Sequence, residues 1–168
     1  NFNNEVTKDL VLYGQTEDIK EYTVTYVDNE KIVKTEKVKE NGSLTAPKVS
    51  KEGHTFKYWS EELNGKEYDL NTKVKKDITL YSVYDINKYT VTFINGKEKY
   101  DEQQVEYGGN IKVPTSPLKE YYTFKYWSLE ENGDSYDLNT KVTKDITLYS
   151  VYDINKYTVT FIDKGKEI

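Results

Sequence analysis

The sequence predicts a mainly β fold with little helix, built as two tandem small domains in an elongated array. The stretch Lys76–Phe93 occurs a second time, letter for letter, at Lys144–Phe161. The motif Tyr-Thr-Val-Thr begins at Tyr22, at Tyr89 and at Tyr157, 67 and then 68 residues apart. No stretch has the i, i+3, i+4, i+7 apolar spacing of a stable amphipathic helix. The chain is therefore expected to consist of repeated sheet-forming units.

These spacings predict the domain boundaries. The end of a preceding repeat is expected at 1–18, two repeat domains at 19–86 and 87–154, and the start of a following repeat at 155–168. The chain is thus expected to be a piece of a longer array. Domains of this size bury only about 60% of their unfolded surface and need help to be stable. The 17 Tyr, 5 Phe and 2 Trp residues are expected to supply it, because aromatic side chains bury large areas.

Each repeat is expected to open with a β-hairpin. Tyr22–Val27 alternates β-branched and aromatic residues, which indicates a strand. The return strand is predicted at Ile32–Val38 in the first repeat and at Glu98–Tyr107 in the second. In the second repeat the dipeptide Asn95-Gly96 suits the centre of a type I′ turn.

A crossing segment follows, at Ser43–Gly53 in the first repeat and Asn110–Tyr121 in the second. Prolines in these segments disfavour a long helix and favour an extended passage. They are Pro47, Pro114 and Pro117.

The third strand is predicted at His54–Ser60 and, in the second repeat, at Tyr122–Ser128. Strict alternation along this strand places Phe56 and Tyr58 on one face and Trp59 on the other. The strand therefore has aromatic residues on both faces.

The last strand is predicted at Ile78–Tyr84, and only Asp85–Lys88 separates it from the next repeat. Four residues held by strands at both ends cannot act as a flexible tether. A stiff or semi-stiff rod with a repeated interdomain angle is expected.

Four motifs follow one another in the second repeat: Tyr-Thr-Val-Thr-Phe, Gly-Gly-x-Ile-x-x-Pro-x-x-Pro, Tyr-Thr-Phe-x-x-Trp and Lys-Asp-Ile-Thr-Leu-Tyr. In this order they resemble the Listeria–Bacteroides repeat family, the module type of the internalin B-repeat. The resemblance implies a small β-grasp-like domain, repeated in bacterial surface proteins between a tip and a wall anchor, with no catalytic residues. A β-grasp topology would place Tyr22–Val27 parallel to Ile78–Tyr84 in the middle of one sheet.

Composition limits the classes of partner. The net charge is −5, charges of both signs are interleaved, and all 24 basic residues are lysine. Without a basic block or an arginine fork, nucleic acid is not expected as a partner. No cysteine is present, so disulfides and thiolate metal sites are excluded. No apolar run is long enough to insert into a membrane.

Catalytic and cofactor sites are not expected. His54 is the single histidine, and its place in the second repeat is taken by Tyr122, which argues against a repeated metal or acid–base role. Paired carboxylates can hydrolyse glycosides only across a cleft, and adjacent ones in a short turn point apart. These pairs are Glu61 with Glu62 and Glu130 with Glu131. We expect no enzyme activity, no metal and no cofactor.

Two modifications of the linkers and cores remain open from the sequence. Oxygen ligands recur at the domain junctions and could bind Ca²⁺, although ordinary turn capping by Asp and Asn is the favoured explanation. They are Asp18, Asp85, Asn87, Asp153 and Asn155. A spontaneous Lys–Asn or Lys–Asp crosslink, as in many exported Gram-positive modules, is the second possibility.

One surface is a candidate for binding. Tyr58 and Trp59, with Tyr126 and Trp127, could form a row of aromatic faces for stacking on sugar rings. The alternative is that these side chains fill the cores, because small domains need their aromatic residues inside.

The function expected from the sequence is that of tandem spacer repeats in the stalk of a Gram-positive cell-surface protein or adhesin. The chain is then extracellular, attached to the cell wall, monomeric, and in contact with neighbouring repeats. The alternative is that the repeats themselves bind a host surface protein or a glycan through exposed aromatic residues or a strand edge.

Overall fold

The computed structural model describes residues 7–9, 11, 13, 14 and 18–167. In these residues each repeat opens with a strand, β1 (Glu21–Asp28) or β5 (Lys88–Asn95). Alternating β-branched and aromatic residues form these strands, because an extended chain directs successive side chains to opposite faces. Each pairs antiparallel with the next strand, β2 (Lys31–Lys39) or β6 (Glu98–Glu106). The two predicted hairpins are confirmed.

The hairpin turn of the second repeat differs from the predicted one, whereas the first repeat has its turn at Asn29 and Glu30. In the second repeat Asn95 pairs with Glu98, so the turn residues are Gly96 and Lys97 and the predicted centre is wrong by one residue. Asn95 stays in the strand because its side chain is hydrogen-bonded to the last strand of that repeat. In the first repeat the turn residues Asn29 and Glu30 both have positive φ, 46° and 65°, as a type I′ turn requires.

The third strands, β3 (His54–Ser60) and β7 (Tyr122–Ser128), have the bounds predicted from the sequence. The last strands, β4 (Ile78–Ile86) and β8 (Ile146–Ile154), continue two residues beyond the predicted end. One residue, Asn87, therefore lies between β4 and β5.

Each repeat forms one four-stranded sheet, in the order β2-β1-β4-β3 and β6-β5-β8-β7. The two central strands are parallel, with Val24 beside Ile78 in the first sheet and Val91 beside Ile146 in the second. The predicted parallel pair and the mainly β, β-grasp-like fold are confirmed. Within the described residues no helix is assigned, and consequently none could cross a bilayer.

A short third element follows β8. Strands β9 (Ile162–Asp163) and β10 (Lys166–Glu167) form a two-stranded antiparallel hairpin. The residues between β8 and β9 belong to no strand.

The core of each repeat lies on one face of its sheet. Trp127 packs there against both central strands of the second sheet, and Trp59 has the corresponding position in the first repeat. The buried residues of the second core are Val91, Phe93, Val105, Ile111, Trp127, Val142, Ile146 and Leu148. Seven of these positions are also buried in the first repeat, as Val24, Tyr26, Val38, Trp59, Val74, Ile78 and Leu80.

The chain packs into two compact units. The first comprises the described residues up to Val49 together with Tyr58–Val83. The second comprises Ser50–Lys57 together with the described residues from Tyr84 onward. The second unit thus includes a short piece of the first sequence repeat. The boundaries expected at 18/19, 86/87 and 154/155 stay predictions.

Candidate functional site

The aromatic residues proposed as a binding surface are buried to different degrees. The indole side chains of Trp59 and Trp127 are only 3% and 2% exposed. Tyr58 and Tyr126, one residue earlier in each strand, are half-buried. The hydroxyl of Tyr58 donates a hydrogen bond to the carbonyl of Gly65 at 3.2 Å. The two indoles therefore have no face available for stacking on a sugar ring.

Trp127 is the centre of an aromatic cluster in the second core. The ring centroids of Phe93, Phe124 and Tyr100 lie 4.8, 5.4 and 5.9 Å from its own. Strict alternation predicted the Phe124 position on the opposite face from Trp127, and this is wrong. The register of β7 shifts between Phe124 and Tyr126, and such a β-bulge brings residues three apart onto one face.

The first core has a polar group where the second has none. Tyr26 occupies the position of Phe93 and donates its hydroxyl to Glu36 Oε1 at 3.0 Å. Lys34 Nζ lies 2.7 Å from the other carboxylate oxygen of Glu36. Burial, together with the neighbouring Glu36 charge, raises the pKa of Tyr26 well above its usual value. Burial alone would raise the pKa of Glu36, but hydrogen bonds from Lys34, Thr45 and Tyr26 lower it overall.

We expect this group to make the first repeat sensitive to alkali. Tyrosine ionises near pH 10 in the unfolded chain, whereas the folded state keeps Tyr26 protonated. Protons are then lost on unfolding, so the free energy of unfolding falls as the pH rises above about 10, by up to about 1.4 kcal/mol per pH unit. Urea unfolding at pH 8 and at higher pH, followed by Trp59 fluorescence in a Trp127→Phe background, measures this loss.

A Tyr26→Phe variant provides the matched control, because Phe93 shows that the position accepts phenylalanine. We expect this variant to lose less stability in alkali than the parent chain. An equal loss in both would contradict the assignment of the alkaline sensitivity to Tyr26.

The residue that connects β4 to β5 is held by hydrogen bonds within the second compact unit. The amide of Asn87 donates to the carbonyl of Gly53 at 2.9 Å, and its carbonyl accepts from the amide of Tyr107 at 2.8 Å. Its side-chain oxygen accepts from the Thr55 hydroxyl at 2.7 Å. Asn155, after β8, accepts in the same way from the hydroxyl of Thr123. Asn87 is therefore held by three hydrogen bonds within the second compact unit.

Tyr107 adds a contact to the same region. Its hydroxyl donates to Glu52 Oε1 at 2.6 Å, and its ring lies against Gly53. A Cβ added to Gly53 would lie 2.0 Å from Cγ of Tyr107. Gly53 also has a φ of +68°, which favours glycine. Gly53 was the only feature of the sequence that could have indicated this contact, because Glu52 and Tyr107 lie 55 residues apart.

The junction carboxylates proposed as calcium ligands have other partners. Asp85 lies 3.2 Å from the Lys57 ammonium, and Asp153 lies 3.3 Å from that of Lys125. Within the residues that the structure describes, no group of three or more histidine, aspartate or glutamate side chains could hold a metal ion. Calcium binding at the junctions and an internal crosslink stay the less favoured alternatives that the sequence left open.

His54 and the paired glutamates take part in local contacts. The His54 ring nitrogen Nδ1 lies 2.8 Å from the carbonyl of Glu52. Glu61 pairs with Lys76 at 2.8 Å, and the amide of Glu62 donates to the buried hydroxyl of Ser60 at 3.2 Å. In the second repeat the amide of Glu130 likewise donates to the hydroxyl of Ser128. An open cavity lies beside the turn that follows the third strand of each repeat. Its volume is about 390 Å³ in the first repeat and about 290 Å³ in the second.

A further open cavity in the second repeat combines aromatic and charged groups. Lys119 Nζ lies 4.1 Å from the ring centroid of Tyr122 and 5.2 Å from that of Tyr152. The Tyr152 hydroxyl and the Ser150 hydroxyl both donate to Asn95 Oδ1, at 2.8 and 2.9 Å. The cavity has a volume of about 260 Å³. It holds an ammonium group over one face of a partly exposed tyrosine ring.

Sequence reasoning missed one repeated contact that involves the Lys-Asp motif. Asp77 Oδ1 accepts from the amide of Thr23 at 2.7 Å, and Asp145 Oδ1 accepts from the amide of Thr90 at 2.8 Å. Each aspartate thereby links the start of the last strand to the first strand of its repeat. The exact recurrence of Lys-Asp before each last strand was the available signal.

Comparison with protein families gives two matches in this chain. The model of the Listeria-Bacteroides repeat domain matches residues 22–83 and 89–151. Each match runs from the first strand of one four-stranded sheet into its last strand. Together the two matches cover more than half of the chain.

Similar proteins occur in two bacterial species. A protein of Evansella cellulosilytica described as a Gly-rich membrane protein is 38% identical over 166 residues, which are 95% of this chain and 19% of that protein. A second membrane protein of that species is 41% identical over 91 residues, 52% of this chain and 14% of that protein. Internalin H of Listeria monocytogenes is 37% identical over 118 residues, 66% of this chain and 21% of that protein. The chain thus spans about a fifth or less of these relatives.

Proposed function

Since the chain belongs to the Listeria-Bacteroides repeat domain family, we propose that its two complete repeats are spacer domains in the stalk of a bacterial surface protein. They hold a functional tip away from the cell wall of a Gram-positive bacterium and have no catalytic role. Repeats of this family occur in surface proteins such as internalins, which supports an extracellular location. The family resemblance noted from the sequence is confirmed.

This proposal rests on the single-residue connection between β4 and β5. One residue, Asn87, lies between β4 and β5, and three hydrogen bonds hold it. A spacer must hold its two ends at a set distance from each other. A free hinge between its domains would let that distance vary. Because each repeat has its own sheet and core, further copies can be added without a change in the fold of the existing ones.

Small-angle X-ray scattering tests the spacer proposal. A compact globule of this length would have a radius of gyration of about 15 Å. We expect a clearly larger radius of gyration for this chain. Insertion of Gly-Ser-Gly-Ser after Asn87 should further increase the spread of interatomic distances within the particle. The same insertion after Lys97, in the hairpin turn of the second repeat, is the control and should leave the spread unchanged.

Two outcomes would contradict the spacer proposal. One is a radius of gyration near that of a globule, or a spread of distances that the insertion after Asn87 does not change. The other is specific binding of a host glycan or protein by the repeats that Tyr122→Ala abolishes while the fold persists. That second outcome would support the alternative function, since Tyr122 lies at the cavity beside Lys119.

A further inference from the structure

Strands β2 and β6 each lie at an edge of a sheet. Within the described residues each of them pairs with a neighbouring strand on one side only. Each is nine residues long, and an open strand edge is a template for pairing with another chain. The opposite edges of the two sheets are less open, because the carbonyls of Trp59 and Trp127 accept the amides of Tyr68 and Tyr136.

The hydrogen bonds to the inner neighbours show which backbone groups face the two open edges. The amide of Glu40 donates to the carbonyl of Lys20 at 2.7 Å, and the amide of Tyr107 donates to that of Asn87 at 2.8 Å. Bonded and non-bonded pairs alternate along an antiparallel ladder, so every second residue directs its amide and carbonyl toward the open edge. These residues are Thr35, Lys37 and Lys39 in β2, and Glu102, Gln104 and Glu106 in β6.

The same six residues direct their side chains to one face of the sheet, and all six are exposed. The crossing segments are held on the other face. Glu36 accepts a hydrogen bond from the amide of Thr45, and the side chain of Gln103 is hydrogen-bonded to the backbone of Lys112. The six side chains are therefore accessible beside the two edges.

The two edge strands have opposite charge. Strand β2 contains four lysines and one glutamate, whereas β6 contains four acidic residues and one lysine. Glu102 and Glu106 lie 3.3 and 3.8 Å from Lys99 and Lys88, but such exposed pairs are weak and can be exchanged. Like charges opposite one another destabilise a strand pair, so two copies of β2 repel each other, as do two copies of β6. A basic β2 and an acidic β6 attract.

We propose that β2 of one chain pairs antiparallel with β6 of a second copy, so that a sheet of one copy continues into a sheet of the other. Antiparallel pairing is slightly more stable than parallel pairing. In the centred register Lys37 lies opposite Gln104, and Lys39 lies opposite Glu102. Lys37 then lies diagonally between Glu102 and Glu106, within reach of its long side chain.

This contact goes beyond the spacer role and departs from the expectation of a monomer. Each copy has one basic edge and one acidic edge, so the pairing joins copies side by side and can continue from copy to copy. In a surface protein it joins neighbouring stalks laterally.

Charge exchange between the two edges tests the pairing. One variant carries Lys37→Glu with Lys39→Glu, and the other carries Glu102→Lys with Glu106→Lys. In sedimentation velocity at low ionic strength, the unmodified chain should associate as its concentration rises, and each variant alone should associate about tenfold more weakly. An equimolar mixture of the two variants should associate again, because each variant offers the edge that the other lacks.

A chain with Lys66→Glu and Lys73→Glu is the matched control. It changes the net charge by the same amount as the β2 variant, at exposed lysines outside both edges, and should associate as the unmodified chain does. The proposal is overturned if the unmodified chain stays monomeric, or if the control associates as weakly as the β2 variant. It is also overturned if mixing the two edge variants restores no association.

Disulfide crosslinking tests the register, because the chain has no cysteine of its own. A Lys37→Cys chain labelled with nitrogen-15 is mixed with an unlabelled Gln104→Cys chain under mild oxidation, and intact mass separates mixed dimers from like dimers. In the control, Thr35→Cys replaces Lys37→Cys, on the same face but two positions out of register. We expect about tenfold more mixed dimer with Lys37→Cys, because a disulfide requires closely placed Cα atoms. Equal yields from the two positions would overturn the proposed pairing.

Discussion

Replacement of Trp127 with alanine is expected to unfold the second repeat or leave it barely folded. The indole is almost fully buried and packs on three aromatic rings from β5, β6 and β7. Tryptophan-to-alanine changes in cores cost about 3–5 kcal/mol. A domain of about 68 residues has a total stability of roughly 3–10 kcal/mol, so this loss is comparable with the whole.

Chemical denaturation, combined with two-dimensional amide NMR spectra, measures the effect of Trp127→Ala. The spectra should lose the dispersed signals of β5 to β8 and keep those of β1 and β2. Tyr157→Ala, at an exposed aromatic residue of the same chain, is the control and should leave the unfolding midpoint unchanged. A midpoint shift for Trp127→Ala as small as that of the control would show that the aromatic cluster does not hold this repeat together.

The second large effect is expected for Gly53→Ala. The added methyl group would lie 2.0 Å from Cγ of Tyr107, far inside van der Waals contact, and alanine would be held at a φ of +68°. Overpacking and an unfavourable backbone conformation together cost roughly 2–5 kcal/mol. The free energy of unfolding, measured with urea, should fall by that amount.

A double-mutant cycle separates the two causes. In a Tyr107→Ala background the clash is absent, so Gly53→Ala should cost only the backbone strain, about 1 kcal/mol. Tyr121 occupies the corresponding place in the second repeat with a φ of 63°, so the conformation itself tolerates a side chain there. The same cost for Gly53→Ala with and without the Tyr107 ring would rule out the steric explanation.

Local patterns made much of the fold predictable. Alternating residues located β1, and the recurring Tyr-Thr-Val-Thr motif located its equivalent, β5, in the second repeat. The parallel pairing of β1 with β4 followed from the β-grasp resemblance. These features depend on short stretches of chain, in which side-chain periodicity and turn residues act directly.

Features that depend on distant residues were not predictable in this way. The bulge in β7 brings Phe124 and Trp127 together against the alternation of the sequence. Asn95 stays in β5 because β8 supplies two hydroxyl groups to its side chain. Both outcomes depend on the neighbouring strand, and a bulge leaves no fixed pattern in the strand that contains it.

The candidate sites show the same difference between features that short stretches of chain determine and features that depend on distant residues. The sequence singled out Trp59 and Trp127, but only the packed sheets decided that their faces are covered. It did not indicate the contact of Tyr107 with Glu52, nor the cavity in which Lys119 covers Tyr122. Both arise from segments that meet only after folding.

The sequence by itself determined the strand-forming units, their repetition and their family. The tertiary structure decided which of their side chains became core. On β5, Val91 and Phe93 are fully buried, whereas Thr90 and Thr92 on the opposite face are only half-buried. A strand fixes which side chains share a face, but burial of that face requires neighbouring strands.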